Sequence, residues 1–203
     1  MTSAERKRVR SAKAALRREI LDKRARIELR AARMAALTIV DGAYRSTAVR
    51  RAQTIACYVA IGTEPGTGPL LERFLSEGKR VLLPVLRDDD DLDWAEFTGV
   101  ECLGLGRHGL MEPTGERLGV DAIRDADVVL VPGLAVSRDG HRLGRGGGSY
   151  DRALARLRKK TYTAVVLFSD EVGVDVPVEP HDLPVKAAIT MLQLHRMPLK
   201  GMR

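Results

Sequence analysis

The chain has little cysteine: Cys57 and Cys102 are the only two in 203 residues. Both lie in or beside apolar segments and neither has metal-ligand spacing. A disulfide framework and a catalytic thiol are therefore set aside in favour of buried free thiols in a reducing compartment. Aromatic residues are also scarce, at 4%, and no nucleic-acid recognition motif is present. Both facts weigh against a basic nucleic-acid-binding protein, which stays as an alternative because the net charge is +7. No apolar run approaches the length needed to span a bilayer, and the charged start, Met1 to Arg10, is not followed by the apolar core of a secretion signal. A soluble, cytoplasmic protein is expected. Repeats, low-complexity tracts and linkers are missing too. With 44% apolar residues, the expectation is one domain over 1–203, monomeric, with 1–10 frayed.

What the chain does have is positive charge, which attracts anions such as nucleic acid, a membrane surface or small polyanions. It also has one stretch where that charge meets glycine. A β-branched run, Val128 to Val131, stops at Pro132-Gly133. After a polar turn come Arg142-Leu143-Gly144-Arg145-Gly146-Gly147-Gly148 and a helix expected from Ser149 to about Lys160. Glycines without a Cβ let backbone N–H groups converge on an anion, the helix start adds partial positive charge, and Arg142 and Arg145 add forked donors that match phosphate oxygens. The plain alternative is a flexible turn with solvated arginines. Asp151, just inside the helix, would compete with phosphate unless magnesium bridged the two; otherwise it is an acid favoured by the helix dipole.

Upstream, Ser11 to about Leu37 contains no Gly or Pro. Leu16, Ile20, Ile27 and Met34 recur in steps of four or seven, which predicts one long amphipathic helix. Lys13 and Arg17 lie four apart on one of its faces, among many other basic residues that read as a solvated face. A second helix is expected at about 42–51, then a buried strand over 54–60. Glu64 follows that strand end in a loop, where open α/β sheets present ligand groups, although an exposed loop acid is the bland reading. A helix over about 68–77, Gly78 as its cap, and a strand over 80–84 come next. Asp88 to Asp91 reads as a solvated hairpin loop and Asp93 to Phe97 as an edge strand, with Trp94 in packing. Gly104-Leu-Gly106-Arg-His-Gly109 matches the dinucleotide pattern, but Met111-Glu112-Pro113 continues it as a turn rather than a helix. A Rossmann-type binder of NAD or of a methyl donor is therefore disfavoured, and His108 is a surface histidine. Strands are expected at 162–168 and 187–190, and the tail from Leu194 carries no signal. Alternating strands and helices imply a three-layer α/β domain with a mostly parallel, Rossmann-like sheet and a long N-terminal helix.

The run from Arg142 to Arg152, preceded by Val131-Pro132-Gly133-Leu134-Ala135, resembles the signature of the 5-formyltetrahydrofolate cyclo-ligase family, also called methenyltetrahydrofolate synthetases. The resemblance implies an enzyme of folate one-carbon metabolism. It would close the ring of 5-formyltetrahydrofolate to 5,10-methenyltetrahydrofolate, with ATP as co-substrate and Mg2+ as cofactor. It also implies roles for particular residues. Lys13, Arg17, Arg142, Leu143, Gly144, Arg145, Gly146, Gly147, Gly148, Ser149, Tyr150 and Asp151 would bind ATP, with Arg145 and Lys13 catalytic. Glu64 and Tyr150 would hold the folate, a substrate that can carry a polyglutamate tail, and Tyr58, Glu64 and Thr67 fit the family's spacing there. Asp151 would share magnesium with Asp182, part of a His181-Asp182 pair that is otherwise an ordinary turn. Glu112-Pro113 agrees with a family loop. Ser149 departs from the family's Gly-Tyr-Tyr-Asp, and a relative acting with ATP on another substrate is the remaining alternative.

Overall fold

Val128 to Pro132 forms the middle strand of a seven-stranded sheet, and its side chains alternate between the sheet's two faces. Val128 and Leu130 join one apolar cluster, Val129 and Val131 the other. A strand buried on both faces must be apolar throughout, which is why this run shows no polar alternation. The computed structural model of the chain describes residues 1–180 and 182–198.

In chain order the elements are helices α1 (Ser3–Arg24), α2 (Leu29–Tyr44) and α3 (Thr47–Arg51), strand β1 (Thr54–Ala56), helix α4 (Gly68–Ser76), and strands β2 (Arg80–Leu86), β3 (Leu92–Glu96), β4 (Leu103–Leu105) and β5 (Met111–Pro113). Strands β6 (Val128–Pro132), β7 (Ala135–Val136) and β8 (Arg142–Leu143) follow, then helix α5 (Ser149–Ala155) and strands β9 (Tyr162–Val166), β10 (Ala187–Thr190) and β11 (Gln193–Arg196). The large sheet runs β11-β10-β9-β6-β1-β2-β3; β10, β9, β6, β1 and β2 are parallel, and β3 and β11 are antiparallel edges. Two hairpins, β4-β5 and β7-β8, stand apart from it.

Helices α2, α3 and α4 cover one face through Ile39, Val49, Leu70 and Phe74. The other face takes Ile123, Trp94, and Ala153 and Leu154 of α5. Trp94 is fully buried, in packing as expected. Helix α1 belongs to neither layer: its Ile20 packs with Leu134, Ala135 and Leu143 of the β7-β8 region, above the strand ends.

That placement corrects the long helix expected over 11–37. The chain turns at Ala25 to Ile27, where N–H groups bond back to Lys23 and Arg24 carbonyls. The cause is tertiary. Arg24 is buried, its Nε and Nη2 donate to Glu171 at 2.6 and 2.8 Å, and Nη2 also donates to the Gly133 carbonyl. This pins the end of α1 to the sheet rim, so α2 must start afresh to cover the face.

The expected frayed start is also corrected. Helix α1 begins at Ser3, because Thr2 accepts from the Glu5 N–H while Glu5 accepts from the Thr2 N–H, a reciprocal capping box. Strand β1 pairs only through Ala56, with Cys57 N–H reaching Leu82, after which the chain leaves to wall the cavity described below. Helix α5 ends at Ala155, short of Lys160, and the tail from Leu194 contributes most of the edge strand β11. Cys57 is buried and free, and burial pushes its thiol up to about 12; Cys102 is free and half-buried.

Candidate active site

Above the C-terminal ends of the parallel strands lies a cavity of about 410 Å³, in the crevice where open α/β sheets receive ligands. Tyr58 and Glu64 come to it from beyond β1, Pro132 and Gly133 from the end of β6, and Leu110 to Glu112 from the β4-β5 hairpin. The glycine stretch closes it: Arg142 and Gly144 through Asp151 all line the wall.

The wall beyond β1 is held by Thr67, whose hydroxyl donates to the Tyr58 carbonyl at 2.6 Å and accepts from the Ala60 N–H at 3.0 Å. This clasp turns the chain so that Glu64 comes back to the cavity. Within the glycine loop, Gly146 and Gly148 have φ of +109° and +74°, the left-handed region that glycine alone adopts at no cost. A Cβ on Gly144 would come within 2.6 Å of Arg142 Nη1. The glycines therefore set both the path of the loop and its close approach to arginine.

Arg142 is buried. It donates to the Pro132 carbonyl at 3.2 Å and to Asp151 Oδ1 at 2.8 Å, and it lies over the Tyr150 ring, 5.8 Å from its centroid. Arg145 Nε reaches Glu64 Oε1 at 3.1 Å, and the other oxygen of Glu64 accepts from the Ile61 N–H. The Arg145 side chain is 45% exposed and that of Glu64 only 6%, so a buried carboxylate holds an exposed cation at the cavity mouth. Arg17 Nε donates to the Gly144 carbonyl at 2.8 Å, with its guanidinium against Gly146. The expected α1 cation thus rests on the loop itself. Because α5 has seven residues, these side chains and not a long helix dipole supply the positive charge.

Lys13, Leu143 and Asp182 do not line the cavity. Leu143 is buried with Ile20 and Leu134, holding the loop's base. Lys13 Nζ is buried and pairs with Asp182 Oδ2 at 2.6 Å and Glu179 Oε2 at 3.1 Å. Asp182, expected to share magnesium with Asp151, is thus drawn by lysine under α1 and away from the wall where Asp151 stands. His181 lies outside the described residues. Among the described residues, no group of three or more His, Cys, Asp or Glu side chains is placed to hold a metal ion.

Tyr58 and Tyr150 both stand in the wall, and burial pushes both phenols well up, so each is a neutral hydroxyl. The Tyr58 hydroxyl is buried with no hydrogen-bond partner among the described residues. Several residues in or beside the site were not anticipated. Glu179 carries no motif, and it is the fold that sets it against Lys13. His108 is an exposed residue, as expected, but it also lines the cavity. Asp90 lines it as well, its carbonyl accepting from Arg152 at 2.6 Å, and Asp91 is buried against Arg156, so the acidic turn is not simply solvated. The Gly104 motif lies in the β4-β5 hairpin and opens no α-helix, holding only a 3-10 turn at Arg107–Gly109, and Met111–Pro113 is strand β5 rather than the expected turn.

A model of the 5-formyltetrahydrofolate cyclo-ligase family matches residues 9–191. The chain belongs to that family. Among curated cyclo-ligases, the 5-formyltetrahydrofolate cyclo-ligase of Mycolicibacterium smegmatis is 41% identical over 143 residues, covering 68% of this chain and 73% of its own length. That of Escherichia coli is 32% identical over 142 residues, 68% of this chain and 78% of its own. The solved 5,10-methenyltetrahydrofolate synthetase of Aquifex aeolicus superposes with a TM-score of 0.78 at 30% identity over 94% of both chains. The synthetase of Mycoplasma pneumoniae shares the fold, with a TM-score of 0.70 at 22% identity over 88% of this chain and 98% of its own. The cyclo-ligase assignment and the cavity agree in place, since the matched span contains every wall residue.

Proposed function

We propose that this chain catalyses the ATP-dependent closure of 5-formyltetrahydrofolate to 5,10-methenyltetrahydrofolate, releasing ADP and phosphate. The observation that carries the reading is the Arg145–Glu64 pair, which joins the cationic glycine loop to a buried carboxylate across the mouth of one cavity. Two substrates, one polyanionic and one rich in hydrogen-bond donors, would meet there.

The chemical obstacle is the formyl oxygen, a poor leaving group. Transfer of the γ-phosphoryl group to that oxygen breaks the bond to ADP and forms a formyl-oxygen phosphate. Nitrogen N10 then attacks the formyl carbon, its proton is lost, and the C–O bond breaks with departure of phosphate. The protein's task in phosphoryl transfer is mainly to position the reactants and offset charge. Arg145, freed from Glu64 by phosphate, would stabilise the transferring group. Arg17 and Arg142 would hold the loop, and backbone N–H groups of 144–148 would contact phosphate oxygens. Lys13 would act from beneath the loop through its carboxylate partners or by exchanging them for phosphate. Glu64 and the neutral hydroxyl of Tyr150 would hold the folate.

Asp151 is 27% exposed in the cavity wall, with only Oδ1 on Arg142. One such carboxylate suits magnesium that arrives with nucleotide phosphates and keeps several waters. Asp151 would hold that ion, whose chemistry is to offset phosphate charge, and Asp182 would join it as a second carboxylate only on leaving Lys13. One copy of the chain, working in the cytoplasm as a single domain, would contain all of these parts. No described helix is long and apolar enough to cross a membrane.

The test is the absorbance of the methenyl product, followed with 5-formyltetrahydrofolate, magnesium and ATP, and with ATP omitted. ATP-dependent product is expected, reduced by about 10²-fold or more in Arg145→Ala and in Asp151→Ala. MgATP binding without product would transfer the site to a different substrate, a reading that Ser149 favours by standing where the family carries an aromatic ring.

A further inference from the structure

Four carboxylates line the cavity: Glu64, Asp90, Glu112 and Asp151. Glu64 has Arg145 and Asp151 has Arg142, while Asp90 sits on the exposed turn before β3. Glu112 differs. It is 93% buried, being 7% exposed, yet it forms no ion pair among the described residues.

Its position is fixed from two sides. Oε1 accepts from the Leu86 N–H at 2.9 Å, at the end of β2. Oε2 lies 2.2 Å and Cγ 2.9 Å from where a Cβ on Gly106 would stand, so only glycine leaves room for this rotamer. Strand pairing of Gly104 with Glu112 sets the register of that contact. Oε2 accepts no hydrogen bond from a described residue, and it is not among the sealed polar atoms. The neighbouring wall is apolar, made by Pro84, Leu86, Leu92, Leu110 and Met111.

A buried carboxylate in an apolar wall is costly unless a ligand brings donors to it. Phosphate and the glutamate tail of a folate are anionic and would be repelled. The 2-amino-4-oxopyrimidine edge of a pterin instead presents N3–H and an amino N–H side by side, the paired donors that a carboxylate accepts most strongly. We propose that Glu112 is a specificity-determining residue that reads this edge of the folate. The inference rests on the cyclo-ligase reading above. It seats the pyrimidine ring against the β4-β5 hairpin, with the formyl nitrogen toward the glycine loop and the tail toward the mouth.

The test is steady-state kinetics of wild type and Glu112→Gln on 5-formyltetrahydrofolate and on its 2-desamino analogue. Glutamine keeps the acceptor for Leu86 but can turn an amide N–H toward the ring's donors. The expected result is a KM for the folate raised about 10- to 100-fold, with the KM for ATP within twofold. Wild type should discriminate against the desamino analogue by a similar factor, and Glu112→Gln should lose that discrimination, the coupling that a merely structural role would not produce. An unchanged folate KM, or equal discrimination in both proteins, overturns the assignment while leaving the function intact. If the variant does not fold, equal wild-type KM values for the two compounds overturn it. No turnover of the folate by wild type overturns the function and this assignment together.

Discussion

Asp91 shows how a single residue changes meaning once its neighbours are known. As one of four consecutive acids it reads as solvent-exposed, yet its side chain is 12% exposed and takes Arg156 Nη1 on Oδ1 at 3.0 Å, with a second, shorter bond on Oδ2. The Arg156 hydrogen bonds hold its carboxyl below the usual range, with burial opposing them. A carboxyl depressed in the folded state contributes stability that is present above its unfolded value, about 3.9, and is lost as pH falls through the lower folded value. Asp91→Asn should therefore cost about 1–3 kcal/mol at pH 7. Melting curves from pH 7 to pH 2.5 should show the two proteins converging below about pH 4. A gap that stays constant down to pH 2.5 would remove the ion pair as its source. By contrast, Glu64 and Arg145 were legible from their motifs one by one. Their pairing was not, because they are 81 positions apart.

Among the elements, helices and strands were readable where the apolar pattern dominated and misread where a distant contact decided. Helix α4 with its Gly78 turn, and strands β3 and β10, fall where periodicity puts them. The split between α1 and α2 does not, since no Gly or Pro marks it and the buried Arg24–Glu171 pair imposes it. Helix α2 offers a sharp contest of effects at Gly42. Intrinsic propensity favours alanine there by about 1 kcal/mol. A Cβ at that position, however, would lie 2.1 Å from the Thr190 carbonyl of β10, backbone that cannot swing aside. Packing should win. Gly42→Ala is expected to lower the urea unfolding midpoint, by a net destabilisation of about 1–3 kcal/mol. A raised midpoint would mean that α2 does not rest this closely on β10.

At the scale of the whole molecule, net charge +7 combines with a cavity whose mouth carries Arg145, backed by the loop-bound Arg17. Nucleotide should therefore bind the folded chain and not the unfolded one. With MgATP at 100 times its dissociation constant, the stabilisation is about 2.7 kcal/mol, a rise of about 5–10 °C in Tm for a chain of this size. Thermal unfolding with MgATP, with ATP and chelator, and without ligand measures it. A rise confined to the first sample would tie magnesium to the nucleotide. The same rise with chelator would leave the ion no part in binding, and no rise in any sample would deny the nucleotide site.

The sequence by itself determined the three-layer α/β class, the parallel centre of the sheet and the glycine-arginine loop. These depend on local preferences: apolar runs that must be buried on both faces, and glycines whose backbone angles other residues resist. Only the tertiary structure decided that Lys13 lies between Glu179 and Asp182, that α1 ends at Arg24, and that Glu112 is buried in the cavity wall with no ion pair among the described residues. Such facts are set by which chain segments meet in space. The free energy of a buried charge depends on those neighbours, which no local pattern records.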